Sequence, residues 1–130
     1  MLSYLWIGAN DADASVAFYD SILLPLGYEK DCSEGVCSFS LPDTLDKLNG
    51  PGTVHVGKPF DGNPATAGNG MMPAFRTRSR AEVDALYAAG LAYGGKGEGA
   101  PGTRAAYTPN FYVAYLKDPT GNKLAVFFNE

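Results

Sequence analysis

Residues 110–129 constrain this chain more than any other stretch. Two runs of β-branched, aromatic and aliphatic residues, 111–117 and 123–128, flank Asp118-Pro119-Thr120-Gly121-Asn122. Pro119 presets φ near −65° for a first corner residue, and Gly121 accepts the positive φ that a tight reversal needs. The pattern predicts an antiparallel hairpin. Along its second strand Lys123, Ala125 and Phe127 share one face, and Leu124, Val126 and Phe128 share the other.

The rest of the chain reads as alternating short elements. Residues 2–9 predict a strand with Tyr4 and Trp6 on one face and Leu5 and Ile7 on the other. Asn10 is the expected cap of a helix carrying Val16, Tyr19, Ile22, Leu23 and Leu26, stopped by Pro25 and Gly27. Residues 28–31 and 36–41 read as a strand pair and 53–57 as a further strand. Residues 58–70, with Pro59, Gly62, Pro64, Gly68 and Gly70, read as a linker. Residues 71–77 predict a strand that Pro73 restricts to an edge or a bulge. Ser79-Arg80-Ala81-Glu82 has the capping-box pattern, opening a helix whose inward face is Val83, Leu86, Tyr87, Gly90 and Leu91. Residues 94–109 are Gly-rich and aperiodic, and the glycines of 94–102 read as a mobile loop, a candidate lid. The order is that of an α+β chain with a repeated series of elements.

Composition narrows the function classes. The 130 residues carry a net charge of −4, and no Lys/Arg cluster stands out. That argues against nucleic-acid and anionic-membrane partners. There is neither an apolar run long enough to span a bilayer nor a signal-like start, so the expectation is a soluble, cytoplasmic protein. Cys32 and Cys37 flank a turn that could bring the thiols face to face. In a cytoplasmic chain the expectation is two reduced thiols packed as small hydrophobes. One pair of cysteines and a single histidine make a poor zinc motif.

Several of these segments, in order, carry a family resemblance. Residues 7–11 with Ser15-Val-Ala-Phe-Tyr19 and Pro25-Leu-Gly-Tyr28, the inter-module Lys58-Pro-Phe-Asp-Gly62 and Gly68-Asn-Gly70, and Pro109-Asn-Phe-Tyr112 with the closing turn span nearly the whole chain. Together they resemble the vicinal-oxygen-chelate superfamily of glyoxalases, extradiol dioxygenases and bleomycin-resistance proteins. The resemblance implies two βαβββ modules whose curved mixed sheets form an open, barrel-like cup, commonly completed by a homodimer. Module one would span about 1–57, the linker about 58–70 and module two about 71–130 of a single glyoxalase-like domain.

The same resemblance implies where metal ligands would stand. The first-strand position falls on Tyr4, the module-two opening position on Met72 or its neighbour, the last-strand position on Ala125 and a fourth on His55. Alanine has no lone pair, a thioether suits hard dications poorly, and a neutral phenol is a weak donor. One histidine cannot supply a two-His, one-carboxylate triad. The expectation is therefore no family-type metal and no other cofactor. The expected activity is binding of a small organic molecule in an aromatic cup. The candidate ligand-binding residues are Tyr4, Trp6, His55, Met72, Arg76, Tyr112 and Ala125. His55 is the candidate acid–base residue and Arg76 a candidate fork for a carboxylate or phosphate. Two alternatives stay open at this point: an atypical or metal-independent enzyme of lyase, isomerase or dioxygenase type, and a non-catalytic interaction module.

Overall fold

A computed structural model describes residues 1–130. Strand β1 (Tyr4–Gly8) leads through helix α1 (Ala12–Leu23) to β2 (Glu29–Ser33), β3 (Val36–Ser40) and β4 (Thr53–Gly57). Strand β5 (Ala74–Arg76), helix α2 (Arg80–Ala92), β6 (Lys96–Gly102), β7 (Phe111–Lys117) and β8 (Lys123–Asn129) repeat that order. Each βαβββ unit makes one four-stranded mixed sheet, β1-β4-β3-β2 in the first and β5-β8-β7-β6 in the second. In each, the opening strand runs parallel to the closing one, and the remaining pairs are antiparallel. Neither sheet closes on itself, which gives the open glyoxalase-like architecture.

One apolar core joins the two units. Ile7, Phe39, Val54 and Val56 from the first sheet meet Phe75, Leu116, Leu124 and Val126 from the second, through Phe18 and Ile22 of α1 and Val83 and Leu86 of α2. Gly90 permits that meeting. A Cβ there would lie 2.9 Å from Leu116 Cδ1 and 3.2 Å from Phe18 Cε2, so α2 can approach both only without a side chain. Burial of this kind stabilises by roughly 25 cal/mol per Å² of apolar surface, and both modules share it.

The closing turn is a second joint. One carboxylate oxygen of the buried Asp118 accepts from the backbone N–H groups of Thr120, Gly121 and Asn122 at 2.9, 2.9 and 3.0 Å. The other accepts from the Tyr19 hydroxyl of α1 at 2.8 Å, while Asn122 Nδ2 donates to Gly8 O at 2.9 Å. Burial, and then the Asp118 carboxylate, hold the Tyr19 phenol well above its ordinary pKa. A turn predicted from local chemistry thus ties module two to both β1 and α1.

Four expectations are corrected. Asp11, not Asn10, caps α1, its side chain accepting from Ala14 N, while Asn10 ties down the linker through Ala65. Residues 96–102 form strand β6 where a mobile loop was expected. Its glycines fit because Tyr115 and Tyr87 approach its backbone, with Cβ positions at Gly99 and Gly97 only 2.8 and 2.3 Å from those side chains. Leu91 is exposed, outside the inward face of α2. Cys32 and Cys37 are joined by a disulfide in place of two reduced thiols, because the β2–β3 register sets them directly opposite with Cα atoms 4.1 Å apart.

Candidate functional site

Strand alternation sorts the candidate residues onto two sheet faces. Leu5 and Ile7 turn toward the core, so Tyr4 and Trp6 stand on the outer face of the first sheet, about half exposed at 51% and 44%. The β1–β4 and β3–β4 registers set His55 beside Trp6 and opposite Ser38. The centre of this face is filled by its own groups. The His55 ring lies 5.4 Å from Tyr4, edge-on, and 5.7 Å from Trp6. Its Nε2 lies 2.9 Å from Leu48 O and its Nδ1 2.7 Å from Ser38 Oγ. A carbonyl only accepts, so Nε2 carries the hydrogen, and in the neutral ring Nδ1 accepts from the Ser38 hydroxyl. Both ring nitrogens are then engaged. The segment supplying Leu48 O is anchored by Thr53 Oγ1 donating to Lys47 O at 2.9 Å. Beyond Trp6, a concavity of about 570 Å³ opens between Val36, Lys58, Phe60 and Glu34.

The second sheet presents a different face. A concavity of about 730 Å³ has Ala74 and Ala125, directly paired across β5 and β8, as a floor of methyl groups. Met72 borders it on one side. Tyr115, opposite Ala125 in the β7–β8 register, borders it on the other. An aromatic wall completes it: Tyr107 meets Phe111 edge-on at 5.4 Å, and Phe111 stacks on Phe127 at 5.3 Å. Burial, followed by the neighbouring Tyr107 phenol, raises the Tyr115 pKa, so its hydroxyl remains a neutral donor and acceptor around pH 7.

The sequence candidates therefore separate into groups. Met72 and Ala125 line this cavity, and Arg76 sits at its edge with its guanidinium 4.9 Å over the Phe127 ring. Tyr4, Trp6 and His55 gather on the other sheet and line no part of it. Tyr112 leans on the core side of β7 and donates to Asp84 Oδ1 of α2 at 2.6 Å. Phe111 and Tyr115 supply the cavity from that strand instead. The alternation of Tyr112, Ala114 and Leu116 against Val113 and Tyr115 carries this information, once Leu116 is known to be core.

The metal-ligand positions do not form a donor set. No group of three or more His, Cys, Asp or Glu side chains is placed to hold a metal ion. Ala125 contributes a methyl group where a carboxylate would be needed, and His55 is bound to Ser38 and Leu48 on the other sheet.

The paired βαβββ units with an open face on each sheet define the vicinal-oxygen-chelate class of scaffold. A glyoxalase/bleomycin resistance protein from Albidiferax ferrireducens T118 is 35% identical, with a TM-score of 0.84 over 100% of this chain and 99% of that one. This chain belongs to that glyoxalase/bleomycin resistance protein family. More distant structures share the fold. A glyoxalase/bleomycin resistance protein/dioxygenase family enzyme from Burkholderia phytofirmans PsJN is 20% identical with a TM-score of 0.71, covering 98% of each chain. Lactoylglutathione lyase from Agrobacterium tumefaciens is 19% identical with a TM-score of 0.62, covering 98% of this chain and 92% of that one. No family model and no curated protein matches the sequence.

Proposed function

We propose that this protein binds a small organic molecule in the aromatic cup of module two, without a family-type metal. The observation that carries the reading is the cavity of about 730 Å³ floored by Ala74 and Ala125 and walled by Tyr107, Phe111 and Phe127. Its size and apolar lining with a few polar groups suit a small-molecule site. Flat aromatic walls favour a planar guest, through stacking at ring separations of about 4.5–7 Å. The donor set argues against chelation chemistry, because a methyl group stands where a carboxylate is required.

The working form is a homodimer in which the first sheet of one copy covers the cup of the other. Two observations support it. Tyr4, Trp6, Leu45, Leu48 and Phe60 expose a large apolar area around the first sheet. Charge is also unevenly divided: residues 1–57 carry eight acidic and two basic side chains, whereas residues 71–130 carry five and seven. That asymmetry favours pairing of unlike modules. No helix is long and apolar enough to cross a membrane.

The test is saturable binding of naphthalene-bearing probes, followed by fluorescence in metal-replete and chelator-dialysed protein. One site per chain with unchanged affinity after chelation is expected, lost in Ala74→Trp and in Phe127→Ala. Absence of saturable binding by any probe, or affinity that vanishes with a stoichiometric divalent metal, overturns the reading. Sedimentation equilibrium checks the dimer, which a monomer at micromolar concentration would refute.

A further inference from the structure

The cationic side chains of this acidic chain are not spread evenly with respect to partners. Of ten Lys and Arg residues, Lys30, Lys47, Arg78, Arg80 and Lys117 form salt bridges with carboxylates. The other five form none, and three of them, Arg76, Arg104 and Lys123, sit on rings that border the module-two cup, whereas Lys58 and Lys96 lie elsewhere. The Arg76 guanidinium lies 4.9 Å from the Phe127 centroid, that of Arg104 5.4 Å from Tyr115, and the Lys123 ammonium 5.1 Å from Tyr115. Arg104 is further held by its own loop, donating to Ala100 O at 2.8 Å and Thr103 O at 3.1 Å. None of the residues lining the cavity is acidic. The nearby carboxylates of Glu98 and Glu130 are engaged by Lys117 and Arg80.

Three cations without counter-ions around an apolar concavity generate a positive field that its low-dielectric walls concentrate. Each ring face offers only partial compensation. A guanidinium keeps its fork of N–H donors free in the ring plane while it stacks, and that fork matches a carboxylate. From this arrangement, and resting on the cup as the binding site, we infer that the ligand class is a planar aromatic carboxylate. Its ring enters between Phe127 and Tyr115 and above the alanine floor. Its carboxylate is taken at the rim by Arg76, with Lys123 and Arg104 adding charge from the Tyr115 side. Cationic guests of the same shape are rejected by the same field.

The test compares three probes with one body: 2-naphthoate, 2-naphthalenemethanol and 2-naphthylmethylammonium, each titrated into the full chain at low and high salt. The expected order is naphthoate tighter than the alcohol by about tenfold, a typical effect of one charge-assisted contact, with the ammonium weakest. The naphthoate advantage shrinks as salt screens the rim. Arg76→Gln and Lys123→Gln each reduce it several-fold while leaving the affinity for the alcohol in place, and Lys96→Gln, away from the cup, changes nothing. Equal affinities for the three probes, or preference for the ammonium, overturn the inference while the aromatic cup stands. Failure of all three to bind overturns the cup itself and this inference with it.

Discussion

The two modules repeat one βαβββ topology and treat its outer face in opposite ways. In module one the centre of the face is occupied by His55, which is hydrogen-bonded on both sides and flanked by Tyr4 and Trp6. In module two the equivalent closing strand carries Ala125, opposite Ala74, and the space above them is open. One large polar side chain against two methyl groups separates a filled centre, with a concavity only beyond Trp6, from an open one. Topology alone therefore does not decide whether the face is open; side-chain volume at a few positions on it does.

The comparison can be broken most forcefully at its filled side. His55→Ala leaves the Ser38 hydroxyl and Leu48 carbonyl without partners and opens a void, a cost of about 3 kcal/mol. Thermal unfolding should show a large fall in Tm, with probe binding in module two retained by the folded fraction. Parallel loss of probe affinity would mean that the two faces are not independent. On the open side, Ala74→Trp should weaken probe binding by about a hundredfold, near 2.7 kcal/mol. Its Tm should stay close to the parent because residue 74 is exposed.

Tyr19→Phe tests the joint between the modules. It removes the hydroxyl donated to the Asp118 carboxylate and should cost about 1.5–3 kcal/mol at neutral pH, as for hydrogen bonds to charged groups. The Tyr19 pKa is raised on folding, so the folded state holds that proton more tightly than the unfolded one. The stability it contributes is present below the unfolded value of about 10 and is lost as pH rises through the folded value. Denaturant melts should therefore show wild type losing its advantage over Tyr19→Phe above about pH 10; a constant gap would refute the linkage. The smallest effect belongs to Tyr112→Phe. Its hydroxyl meets Asp84 in an exposed position on the helix side of β7, so stability should change by less than about 0.5 kcal/mol. Probe affinity should not change.

Much of the fold was readable in the chain because local chemistry repeats it at several levels. The closing turn announces itself through Asp118, Pro119 and Gly121, and the parities of β1 and β8 follow from alternation. Where reading failed, a distant partner decided. The glycines of 96–102 look like a loop until Tyr87 and Tyr115 are seen against their backbone. Asn10 looks like a cap until Ala65 takes its amide. Tyr112 and Tyr115 are interchangeable by composition, and only the packing of Leu116 assigns one to the helix and the other to the cup.

By itself the sequence determined most of the order of elements, with β6 as the exception, the closing hairpin, and the presence of a methyl group at position 125. These depend on backbone preference and on chemical identity, which are properties of residues and their near neighbours. The tertiary structure alone decided that His55 and Ala125 stand on different sheets. It also decided that Phe111 walls a cavity, and that three cations without carboxylate partners gather around that cavity. Those facts depend on the register and relative placement of strands far apart in the chain, which is set by the shared core and not by any local pattern.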